Sequence, residues 1–261
     1  MNLEGVTVVV TGGSRGIGLA VARAALAAGS RVVLAARGEP GLAAARESLE
    51  PATRESTDLS GAGLETPGST TVGERILTVP TDVTMEGQVA GLFEEAADRF
   101  GRVDVLVNAA GGLIRSSVTE TRLEDWETNL AVNLTGVFLC SREAVRRMLA
   151  QPPAEDGVRG HVVQIVSGAG VHGWPGHAAY SAAKHGVMGF SASLRDEVRE
   201  QGVLVSDVLP GMTATAMTDL PDFASRNKLE PEDVAQAVLA VLQAPPRAML
   251  TRVDVRHRLP R

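Results

Sequence analysis

Short runs of β-branched residues alternate along this chain with longer alanine-rich stretches of helical character. Residues 6–10 (VTVVV) read as a strand and 17–28 as a helix. The same pairing recurs in 31–35 with 40–49, 75–79 with 85–100, and 103–108 with 123–149. It continues in 160–167 with 178–201 and 203–209 with 232–243, and residues 249–255 offer a last strand. Runs such as VDVLVN and HVVQIVS are apolar at nearly every position, as in strands covered on both faces. The alternation predicts an α/β fold: a Rossmann-type, doubly wound parallel sheet of about seven strands flanked by helices, in a single domain over 1–261.

Two connections are longer than this pattern needs. Residues 51–74 are rich in Ser, Thr, Gly and Pro and read as a flexible surface insertion; residues 150–160 form another long connection. Both run from a helix into a strand, so both belong at the amino edge of the sheet. Ligands of such sheets bind at the carboxyl edge, so neither insertion is expected to cover a substrate.

Composition narrows the function. Thirty-one acidic and 25 basic residues leave a net charge of −6, which disfavours binding to nucleic acid or an anionic membrane through net charge. A single cysteine, Cys140, rules out an internal disulfide framework. No apolar run approaches the ~18 residues of a membrane span, and no secretory leader precedes the first strand. No His/Cys cluster has metal-ligand spacing. The expectation is a soluble, cytoplasmic protein.

The chemistry sits where strands end. TGGSRGIG, residues 11–18, joins the first strand to the first helix, and its glycines Gly12, Gly16 and Gly18 let backbone N–H groups and a helix N-terminus approach a pyrophosphate. The second strand ends in AARGEP. It places Arg37, and no acid, where an NAD site usually carries a carboxylate for the ribose hydroxyls, and Arg15 supplies a second cation. NADP(H) is therefore favoured over NAD(H), with Glu39 close enough to keep NAD(H) open. Tyr180, the only tyrosine, lies one helical turn from Lys184. A phenol of pKa ~10 is a poor base alone, and a neighbouring ammonium favours the phenolate. Ser167, Asn133, the NAAG of 108–111 and the PGMTAT of 210–215 fall on the same rim.

Taken together, TGGSRGIG, Asp82 of TDV, NAAG, Asn133, Ser167, YSAAK and PGMTAT resemble the short-chain dehydrogenase/reductase family over roughly residues 3–215. The resemblance implies an NAD(P)-dependent oxidoreductase acting on a small-molecule carbonyl or alcohol. It implies a catalytic tetrad of Asn133, Ser167, Tyr180 and Lys184. Tyr180 would be the acid/base, Lys184 would lower its pKa and bind the nicotinamide ribose, Ser167 would hold the substrate oxygen, and Asn133 would steady a water leading to Lys184. Cofactor contacts would fall to Gly12, Ser14, Arg15, Gly16, Ile17, Gly18, Arg37, Asp82, Val83, Asn108, Ala109, Gly111, Tyr180, Lys184, Pro210, Gly211, Thr213 and Thr215.

There are departures. Ala109 replaces a common asparagine, Thr213 stands at a usual valine, and the family's DGG-type ending is missing. The resemblance also implies a homo-oligomer, dimer or tetramer, paired through the helices at 123–149 and 178–201. Residues 212–230 would cover the substrate, with Gly112, Leu113, His172, Trp174 and His177 as further pocket candidates. Arg252, Arg256, Arg258 and Arg261 read as a solvated edge. A cofactor-sensing regulator without turnover is the alternative of a different class.

Overall fold

The computed structural model describes residues 1–50, 71–219, 227–245 and 247–258. Seven parallel strands form one sheet in the order β3-β2-β1-β4-β5-β6-β7. They are β1 (Thr7–Thr11), β2 (Arg31–Ala36), β3 (Ile76–Pro80), β4 (Val105–Asn108), β5 (Gly160–Ile165), β6 (Val203–Pro210) and β7 (Arg252–Val255). The helices are α1 (Gly16–Ala27), α2 (Glu39–Leu49), α3 (Glu86–Phe100), α4 (Leu123–Leu130), α5 (Gly136–Ala150), α6 (Ala178–Val198) and α7 (Pro231–Leu242). The doubly wound parallel sheet expected from the strand–helix alternation is thus the fold.

Strand periodicity explains the two cores. Along β1, Val8 and Val10 point into one layer with Leu26 of α1, Leu42 of α2 and Val238 of α7. Val9 points the other way, into a layer with Phe93 of α3 and Met148 of α5. Every β1 residue is buried, so a continuous apolar run is what a strand covered on both faces requires. Strand order reverses between β1 and β4, where Thr11 pairs with Asn108. A crevice opens at such a reversal, outside the carboxyl ends of the strands.

The structure departs from the sequence reading in two places. The helix expected over 123–149 is α4 and α5 joined by a π-helical turn, Ala131–Thr135, with Asn133 at its centre. Such turns insert an extra residue and rotate the side chains that follow, and they recur at functional sites. Of the insertion at 51–74, residues 51–70 lie outside the described residues. At its end, Val72–Arg75 form a 3-10 turn closed by a reciprocal Thr71–Glu74 cap. The 150–160 connection lies at the amino edge as expected, leading directly into β5.

Candidate active site

A cavity of about 1090 Å³ runs along the carboxyl edge of the sheet. Its lining includes every residue implied above for cofactor or catalysis except Asn108. The Asn108 amide is buried behind the cavity, donating to Ser141 Oγ at 3.0 Å and to Gln164 Oε1 at 2.9 Å. Gln164 Nε2 donates to the same Ser141 oxygen at 3.1 Å, which closes a triangle tying β4 and β5 to α5. The Asn108 side chain thus has a structural role, which leaves only its backbone for the cofactor contact expected of NAAG.

At one end of the cavity the glycine turn leaves β1 and opens α1. Gly12 has φ +66°, and a Cβ there would lie 2.8 Å from Ala109 O and from the Ala110 backbone. Neither the conformation nor the space admits a side chain. The turn presses against NAAG and leaves the N-terminus of α1 facing the cavity. The N-cap residue, Arg15, makes no side-chain cap, so the first N–H groups of the helix have no capping partner from that side chain. Backbone donors, a positive helix end and a cradle without side chains fit a pyrophosphate.

Arg37 and Gly38 line the cavity beyond β2, and Glu39 does not. Asp82 completes this end. Its Oδ1 accepts from Thr84 N at 3.0 Å and Thr84 Oγ1 at 2.8 Å. The Thr84 amide hydrogen bond, despite some burial, and with help from the Thr84 hydroxyl and the charge of Arg37, holds the Asp82 carboxyl below its ordinary range.

The other end is built by β5 and α6. Ser167 follows β5, and its Oγ accepts from Ala169 N at 3.1 Å. It also lies close enough to the Tyr180 hydroxyl to influence its titration. Lys184, one turn along α6, donates from Nζ to Ile165 O at 3.0 Å and lies 5.7 Å from the Tyr180 ring centroid. Burial pushes the Lys184 ammonium down to about 8. It also pushes the Tyr180 phenol above its ordinary value, and the Ser167 hydrogen bond opposes this only in part. The sequence argument expected the neighbouring ammonium to lower the phenol; with both groups enclosed in protein, desolvation is the larger effect.

Asn133, fully buried, donates from Nδ2 to Gly112 O at 2.8 Å and to Asn129 O at 3.0 Å, and accepts from Gly112 N at 3.3 Å. Asn129, one turn earlier, grips Ile114 in the same way: Nδ2 donates to its carbonyl at 3.2 Å and Oδ1 accepts from its amide at 3.4 Å. The pair fixes the loop after β4 to the helix. Asn129 was missed in the sequence, although NLAVN, with amides at i and i+4, was its signal.

Among the other pocket candidates, Leu113, Trp174 and His177 line the cavity, and Gly112 and His172 do not. Residues 220–226 of the covering segment lie outside the described residues. Its two ends are stitched together: Ala214 N donates to Leu229 O at 2.7 Å, Leu229 N to Met212 O at 2.8 Å, and Lys228 Nζ to Thr218 O at 2.8 Å. Arg256 is exposed, as expected of a solvated edge, and it also lines the cavity, as does Arg115. Because β7 is parallel to β6 and pairs Val255 with Pro210, the residue after it emerges at the ligand-binding rim.

Comparison with known proteins agrees with this geometry. The sequence model described as short chain dehydrogenase matches residues 6–63 and 62–222. The chain is 32% identical over 256 residues to an uncharacterized oxidoreductase of Staphylococcus saprophyticus, covering 98% of this chain and 99% of the relative. It is 31% identical over 248 residues to one from Staphylococcus aureus strain USA300, covering 95% of each. A relative from Staphylococcus haemolyticus, also described as an uncharacterized oxidoreductase, is 32% identical over 254 residues, covering 97% of this chain and 98% of its own. The fold and site define a nicotinamide-dependent oxidoreductase. The chain belongs to the short-chain dehydrogenase/reductase family.

Proposed function

We propose that the chain catalyses NADPH-dependent reduction of a ketone or aldehyde, with Tyr180 as the proton donor. The observation that carries this reading is the enclosed Ser167–Tyr180–Lys184 cluster at one end of a cavity whose other end presents Arg37 and a glycine cradle. When bound, the reduced nicotinamide supplies hydride to the carbonyl carbon. In this reading Ser167 Oγ and Tyr180 Oη hold the carbonyl oxygen between them. Burial keeps the proton on Tyr180 at neutral pH, so the resting phenol is ready to donate as negative charge develops on that oxygen. Lys184 then stabilises the phenolate left behind, held in place by its bond to Ile165 O. Asn133 keeps the wall beside this cluster rigid through Gly112.

The NADPH preference rests on Arg37. A guanidinium donates paired hydrogen bonds to a phosphate, and Asp82, the one carboxylate lining the cavity among the described residues, is already engaged by Thr84. We further assign the protein to the cytoplasm and read it as a homo-oligomer. Phe138 on α5 is 40% exposed and packs edge-on to Phe190 of α6 at 6.0 Å, an apolar patch suited to a second copy. A monomeric mass by light scattering would overturn the oligomer.

The test of function follows reduced-nicotinamide absorbance with a panel of ketones and aldehydes, for wild type and Tyr180→Phe. Turnover with NADPH that is lost in the variant supports the reading. NADPH binding in both proteins with turnover in neither would favour a cofactor-sensing regulator.

A further inference from the structure

We propose that Arg256 is a specificity-determining residue, and that the carbonyl substrate carries a carboxylate a few bonds from the reacting carbon. The inference rests on the reductase reading and names its substrate class as oxo or hydroxy acids.

The guanidinium of Arg256 reaches from the end of β7 to the floor beside Ser167. A Cβ on Gly168 would lie 2.6 Å from Arg256 Nη1 and 3.1 Å from Trp174 Cη2. Glycine at 168 is thus what lets a cation and an indole both settle within one residue of the serine. Arg256 is oriented by Asp254, whose Oδ1 accepts from Nη2 at 2.9 Å. That carboxylate is also claimed by Arg252, with Nε at 2.9 Å from Oδ2. Two guanidinium groups share one acid, so a positive charge remains at the rim. The side chain is 48% exposed, which leaves it open to an entering ligand.

The charge balance of the cavity agrees. Among the described residues, a chain of net charge −6 lines this cavity with Arg15, Arg37, Arg115, Lys184 and Arg256 against one carboxylate, Asp82. Arg15 and Arg37 are accounted for by cofactor phosphates and Lys184 by the tyrosine. Arg115 and Arg256 remain, and Arg256 is the one set beside Gly168 and the Trp174 indole. Such a field draws anions into a cleft, and a guanidinium matches a carboxylate's two oxygens.

The test uses the full chain with NADPH and phenyl-substituted α- and γ-oxo acids, each beside its methyl ester. Wild type is expected to favour acid over ester in kcat/KM. Arg256→Gln should raise KM for the acid by roughly tenfold to a hundredfold and leave the ester unchanged, with Arg256→Lys recovering part of the loss. No acid preference in wild type, or acid and ester falling together in the variant, overturns the proposal.

A second arm needs no turnover. In a Trp126→Phe background, Trp174 emission reports benzoate binding to the NADPH-loaded protein. Benzoate that quenches the Arg256 protein and not Arg256→Gln supports the anion site even if no oxo acid is reduced, an outcome that would count against the reductase reading alone. Equal quenching in both proteins, or in neither, overturns the site.

Discussion

The two ends of the cavity are built differently. The cofactor end is made of contiguous motifs, each following one strand: TGGSRGIG after β1, Arg37 after β2, Asp82 after β3. The substrate end draws Trp174, Met212 and Arg256 from positions far apart in the chain. A pyrophosphate needs backbone, and backbone geometry is encoded locally by glycine spacing. A substrate needs side chains from several elements, and only tertiary structure says which ones meet.

Tyr180 joins the two ends, so changing it should have the largest effect. Tyr180→Phe is expected to lower kcat by about a thousandfold or more while NADPH affinity, measured by titration, stays near wild type. Gly12→Val strikes the cofactor end alone. Its side chain would collide with the backbone of Ala109 and Ala110 from a left-handed conformation, so NADPH binding should weaken by at least roughly a hundredfold. Circular dichroism separates that loss from unfolding.

Arg37→Glu sharpens the comparison within the cofactor end. It replaces a phosphate donor by a carboxylate suited to ribose hydroxyls, and the ratio of kcat/KM for NADPH over NADH should fall by about tenfold to a hundredfold. An unchanged ratio would mean that Arg37 does not read the phosphate.

The smallest effect lies in the strands that carry both ends. His161 of β5 is buried against Ser206, with Nε2 and Oγ 2.8 Å apart, and burial pushes its pKa from 6.5 down to about 3. The folded ring stays neutral where the unfolded ring would take a proton. Its contribution is therefore complete above pH 6.5 and is lost as pH falls from there toward 3. Stability should decline by up to ~1.4 kcal/mol per pH unit from this group. Denaturant melts of wild type and His161→Gln check it: the variant should show the shallower acid slope.

How much could be read in advance follows from the same contrast. Strand periodicity disclosed the sheet, and the residues that the family resemblance singled out, Asn108 apart, line one cavity. The NAAG motif did not disclose the role of the Asn108 side chain, which strand alternation turns into a polar triangle with Ser141 and Gln164. The π-turn at Asn133 was hidden because one extra residue in a helix leaves no compositional mark. Arg256 looked like a solvated terminal cation until the register of β7 against β6 carried it to the rim.

That register also bears on how such an enzyme could change its diet. β1 is buried at every position and hemmed in by neighbours on both sides, so it tolerates little. β7 pairs only with β6, and none of its residues is fully buried. Substitutions there cost little stability, yet the residue that follows the strand, Arg256, lines the cavity. Under the proposal made for Arg256, selectivity can thus drift at the exposed edge of the sheet while Ser167, Tyr180 and Lys184 stay fixed by β5 and α6.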